Sequence, residues 1–196
     1  MKGSVKAHIS LLLAASMWGL MSPVGKAAME AGITGLTLAN MRMIGAAVCF
    51  WTTSFFVKQE KVNPHDLLML FFASLLGIVC NQGCFTFGLS LTSPVDASIM
   101  TTTMPIVTMI LAALFLKEPV TPKKVIGIFL GSIGALTLIL SNRGGDTEGG
   151  SVWGDALCMA AQISFACYLT IFKKLIARYH VITLMKWMFT YAAICF

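Results

Sequence analysis

The chain has 196 residues, 57% of them apolar and 11% charged, with a formal net charge of +6. Soluble domains carry about 25% charged residues, so this composition excludes an ordinary water-soluble fold. The positive charge does not argue for nucleic acid, because it is sorted into alternate loops between long apolar runs.

Six such runs follow one another, at residues 9–25, 36–57, 67–89, 97–116, 125–142 and 156–172, and a seventh opens near Val181. Each approaches the roughly 20 helical residues that cross a bilayer core of about 30 Å, which predicts an all-α polytopic membrane protein. In the first run Trp18 sits deeper than an interfacial aromatic should, so packing and stacking on a substrate ring are both open. Pro23 removes the hydrogen bond to the Gly19 carbonyl and marks a kink or hinge. Lys26, nearer the membrane edge, is expected to snorkel to the headgroups.

The second run is interrupted by Arg42. A cation at that depth costs about 2.5–3.5 kcal/mol on insertion scales and usually faces a cavity or a partner. It either attracts an anionic or zwitterionic substrate or snorkels outward. Asn81 and Gln82 fall near the middle of the third run, where an amide needs a partner from a facing helix or from a substrate. Cys80 and Cys84 lie one turn apart without His or carboxylate beside them. Like the other four cysteines they read as packing residues, and neither metal nor cofactor is expected.

Ser93-Pro94-Val95-Asp96 predicts a helix start, with Ser93 as cap. In the fourth run Pro105 removes the bond to the Thr101 carbonyl. Thr101, Thr102 and Thr103 can satisfy the freed backbone groups, and such a break also offers a hinge and carbonyls to a ligand, which makes Thr101 a candidate contact. Glu118 ends the run at the interface, beside the loop lysines. Gly127, Gly131 and Gly134 form a small-residue face suited to close helix packing in the fifth run. Residues 142–152 are the polar, Gly-rich linker. Gln162 and Tyr168 are polar candidates in the sixth run, and Lys186 lies in the seventh.

Ten of the fourteen Lys and Arg fall into one set of alternating loops: Lys2, Lys6, Lys58, Lys61, Lys117, Lys123, Lys124, Lys173, Lys174 and Arg178. Cytoplasmic loops are the basic ones, so the amino terminus is expected in the cytoplasm of a cell with this protein in its plasma membrane, the inner membrane of a bacterium. No cleavable signal peptide is evident. No H-E-x-x-H, G-x-S-x-G or P-loop appears, so neither catalysis nor direct ATP drive is expected.

Residues 9–26 weakly resemble residues 156–173, with Ala14 matching Ala161, Trp18 matching Phe165 and Lys26 matching Lys173. Five spans separate the two stretches, so a second copy would enter the membrane inverted, as in secondary transporters.

Trp18-Gly19 before Lys26, Arg42, Asn81-Gln82-Gly83-Cys84-Phe85 leading to Gly88-Leu89, Thr92 and Ala97, then Pro105, Leu116 and Glu118, then Gly127, Gly131 and Gly134, and finally Gly154-Asp155 to Tyr168 and Lys173 form an ordered pattern over most of the chain. The pattern resembles the drug/metabolite transporter superfamily, specifically EamA-type permeases, which typically have ten helices in two five-helix repeats. The resemblance implies one complete repeat at 1–141, the linker at 142–152, and the first two helices of an inverted second repeat at 153–196, the latter incomplete. It implies a secondary carrier that moves a small metabolite or drug-like solute by alternating access, in contact with the lipid bilayer. The other reading is a non-transporting fragment or a half-unit that assembles with a second half or as a homodimer.

Overall fold

The computed structural model describes residues 2–58, 60–141 and 151–196, so most of the linker at 142–152 lies outside the described residues. Helices follow in the order α1 (Lys2–Glu30), α2 (Gly35–Ser54), α3 (Pro64–Ser74), a π-helical segment (Leu75–Cys80), α4 (Asn81–Leu91), α5 (Pro94–Thr101), α6 (Met104–Leu116), α7 (Pro122–Ser141), α8 (Val152–Ile171), the single turn α9 (Lys173–Ile176) and α10 (Val181–Cys195). Among the described residues there is no strand.

Among the described residues, four helical stretches are long and apolar enough to cross a membrane: Val5–Glu30, Pro64–Leu91, Pro94–Leu116 and Val152–Ile171. α2 and α7 have 20 residues each, the former carrying Asn40 and Arg42. The protein is an all-α polytopic membrane protein.

Local chemistry explains the helix limits. Thr34, Asn63 and Ser93 cap α2, α3 and α5 by accepting from the backbone N–H of Thr37, His65 and Asp96. Pro64 and Pro94 occupy the first turns, where a missing N–H costs nothing. α1 continues through Pro23, whereas the fourth run breaks between α5 and α6 at Thr102 and Thr103, placing Pro105 in the first turn of α6. The hydroxyls of Thr101, Thr102 and Thr103 donate to the carbonyls of Ala97, Ile99 and Met100 at 2.9, 2.7 and 2.6 Å, back-bonding onto the last turn of α5.

The π-helical segment has no counterpart in the sequence reading, which treats residues 67–89 as one regular helix. The Tyr168 ring lies against it at Gly77, where a Cβ would come within 2.7 Å of the ring. The Leu76 carbonyl accepts from the Ser164 hydroxyl at 2.7 Å. A neighbouring helix therefore supplies both the bulk and a hydrogen bond at the bulge.

α8 is the centre of the packing, held by α4, the π segment, α5 and α6, while α10 lies against α2 and α3. One core joins Met43, Leu70, Tyr168, Leu184 and Met188; another joins Phe85, Leu89, Ala97, Cys158 and Ala161. α4 and α8 approach closely at Gly88 and Gly154. A Cβ on Gly88 would come within 2.7 Å of the Cys158 sulfur and the Gly154 carbonyl, and one on Gly154 within 2.9 Å of the Gly88 carbonyl. Gly154, Cys158 and Ala161, all buried on one face of α8, form the small-residue stripe at this contact. By contrast, a Cβ on Gly127, Gly131 or Gly134 would meet nothing within 4 Å, so the small-residue face of α7 has no helix on it among the described residues.

Candidate functional site

Trp18 and Arg42 come together. Both line a cavity of about 580 Å³ between α1 and α2, whose other walls include Met17, Met21, Val24 and Leu38. Trp18 is 51% exposed rather than packed away. Arg42 is partly buried, and its Nη2 donates to the Met21 sulfur at 3.0 Å. Among the described residues no carboxylate pairs with Arg42. A guanidinium carries five N–H donors, and a thioether is a weak acceptor, so this charge is poorly compensated by the protein.

Asn81, Gln82 and Gln162 are buried where α4 meets α8. Asn81 Nδ2 donates to the Ala161 carbonyl at 2.8 Å, and Gln82 Nε2 donates to Asn81 Oδ1 at 3.1 Å. The Gln82 Oε1 is buried without a partner among the described residues. Leu38 and Leu89 both lie 3.7 Å from where a Cβ on Gly25 would sit, so α1, α2 and α4 converge there.

The other candidates separate from this group. Tyr168 is a core residue, stacked obliquely on Phe165 and Phe172 with centroids 5.6 and 6.5 Å away. Thr101 closes its own helix, and Pro105 lines a smaller cavity of about 360 Å³ with Thr108, Glu118 and Lys124.

Several polar residues act otherwise than the sequence suggests. Lys26 does not snorkel freely: its Nζ donates to the Leu89 and Thr92 carbonyls at 3.2 and 3.3 Å, neutralising the negative end of α4. Lys186, 4% exposed, donates to the Ser54 hydroxyl at 3.0 Å and lies 4.9 Å from the Trp51 ring centroid. Asp66 falls just outside the predicted third span, yet α3 begins two residues earlier, at Pro64, and buries it. Its Oδ2 accepts from Arg178 at 2.7 Å and from the Tyr179 hydroxyl at 2.6 Å. Nearby, Glu60 accepts from the His180 N–H at 2.9 Å, a hydrogen bond that holds its carboxyl below the usual range. These contacts clamp the α2–α3 connection to the α9–α10 connection. An Asn63-Pro64 cap is a signal that could have placed Asp66 on a helix, but nothing local points to Arg178. Glu118 pairs with Lys173 and Lys124, as its loop position suggested; the Lys173 hydrogen bond is the main reason its carboxyl lies below the usual range.

Residues 5–140 match the EamA-like transporter family. An uncharacterized transporter of Archaeoglobus fulgidus is 26% identical over 92% of this chain and 62% of its own length. The uncharacterized transporter YetK of Bacillus subtilis is 27% identical over 90% of this chain and 54% of its own. Protein WALLS ARE THIN 1 of Arabidopsis thaliana is 31% identical over 59% of this chain and 31% of its own. The chain thus spans about half the length of the curated relatives it matches. No solved structure matches it. With its apolar helices and the matching segment running from α1 through α7, the chain belongs to the EamA-like transporter family, membrane transporters of the drug/metabolite type.

Proposed function

We propose that these helices form one wall of a secondary carrier that moves a small anionic or zwitterionic solute by alternating access, with the α1–α2 cavity as its binding site. The observation that carries the reading is Arg42: a cation in a mostly apolar cavity whose polar neighbour is a thioether. The guanidinium fork suits a carboxylate or phosphate, to which it can donate two parallel hydrogen bonds. Trp18 offers an aromatic face beside it. Residues 1–141 are the first repeat in this reading and residues 153–196 open the inverted second. The amino terminus lies in the cytoplasm, a placement supported by the gathering of Lys124, Lys173 and Glu118 at one end of the helices. Pro23 and the α5–α6 break at Pro105 are the points at which the helices flex.

The test is transport into membrane vesicles of a panel of small carboxylates, amines and neutral solutes, with the parent and with Arg42→Ala at matched membrane abundance. Carboxylate transport that disappears in the variant supports the site. Transport restricted to cationic or neutral solutes and unchanged in the variant overturns it.

A further inference from the structure

The clamp between the α2–α3 and α9–α10 connections opens on one side into a separate cavity of about 300 Å³, between the start of α3 and the end of α8 with α9. Its polar lining is His65, Asp66, Lys174 and Arg178. Asp66 is already committed to Arg178 and Tyr179. Arg178 uses one nitrogen for that contact, its side chain is 59% exposed, and its guanidinium has further donors to offer. Lys174 is exposed and has no ion pair among the described residues. Lys174 and Arg178 against Asp66 leave the rim positive.

The cavity has a second property that a site for a soluble anion would not need. Met69, three residues beyond Asp66, and Ile171, three residues before Lys174, also line it. On both walls, therefore, the charged rim gives way within one turn to an apolar floor, and Met69 and Ile171 belong to helices long and apolar enough to cross the membrane. That is the profile of the boundary between phosphate and acyl chain at a bilayer surface, where each Lys or Arg attracts anionic lipid.

We infer that this cavity is a binding site for an anionic phospholipid, with the phosphate on Lys174 and Arg178 and an acyl chain along Met69 and Ile171. The bound lipid bridges α3 and α9 and reinforces the Asp66–Arg178–Tyr179 clamp from outside. The site is distinct from the Trp18–Arg42 cavity, and its test needs no transport measurement.

The experiment is thermal unfolding of the purified full chain in neutral detergent, titrated with phosphatidylglycerol, phosphatidylcholine or inorganic phosphate. Phosphatidylglycerol raises the unfolding midpoint, and the other two do not. Lys174→Ala keeps the parental midpoint without lipid and weakens the phosphatidylglycerol response by about fivefold in concentration. Lys123→Ala, the same charge change at the start of α7, leaves the response intact. Equal responses to phosphatidylglycerol and phosphatidylcholine, an equal response to phosphate alone, or equal losses in the two lysine variants would each overturn the assignment.

Discussion

Arg42 and Arg178 show two opposite treatments of the same side chain. Arg178 meets a buried carboxylate that a tyrosine hydroxyl also satisfies, and the Asp66 hydrogen bond holds its pKa above the ordinary value. Arg42 sits beside a methionine sulfur in a cavity of about 580 Å³. The surroundings differ in the same sense. Around α8 the helices touch closely enough that glycine is required, whereas between α1 and α2 they stand apart. A charge that the protein pairs for itself builds structure; a charge left with a thioether is available to something that enters. In a membrane an uncompensated cation is costly, so its retention favours a functional reading.

The comparison breaks first at Arg42. Arg42→Ala should lower transport of an anionic solute by about 10-fold to 100-fold, the worth of a charge-assisted hydrogen bond, while the unfolding midpoint stays level or rises. A fall in stability with transport intact would make Arg42 a structural residue. Next, the close α4–α8 crossing predicts that Gly88→Ala costs about 1–3 kcal/mol by overpacking, because the new Cβ meets the Gly154 carbonyl and the Cys158 sulfur. Equilibrium unfolding of that variant should be set beside Gly19→Ala, in the open α1 wall, where a Cβ meets nothing within 4 Å. Gly19→Ala should be neutral or stabilising by up to about 1 kcal/mol, and equal penalties would erase the distinction between the two regions.

A smaller effect separates the clamp from the cavity. Asp66→Asn should lower the unfolding midpoint by removing the carboxylate that serves Arg178 and Tyr179, with solute affinity unchanged. The smallest effect is the pH response of Glu118. Glu118 has a folded pKa below its unfolded value because of Lys173 first and Lys124 after it. Its contribution is therefore fully present above the ordinary carboxylate pKa of about 4.3 and is lost as pH falls through the lower folded value. A midpoint-versus-pH curve should be flat from neutral to that range and drop below it, with a shallower drop in Glu118→Gln.

Apolar run lengths and loop composition were enough to predict an all-α membrane protein, and the order of short motifs from Trp18 to Lys173 was enough to identify the family. Both depend on one-dimensional facts: the thickness of a bilayer, the desolvation cost of charge, and the cap chemistry of Ser93-Pro94. The pairing of α4 with α8 was not legible, because any apolar helix can face any other until side-chain volumes are placed. For the same reason the packing glycines proved to be Gly77, Gly88 and Gly154, while the Gly127, Gly131 and Gly134 face is open among the described residues. Arg42 and Trp18 could each be singled out by burial cost, but only the tertiary structure put them in one cavity. It also joined Asp66 to Arg178, 112 residues away, since partners so distant are fixed by packing of whole helices and not by local sequence.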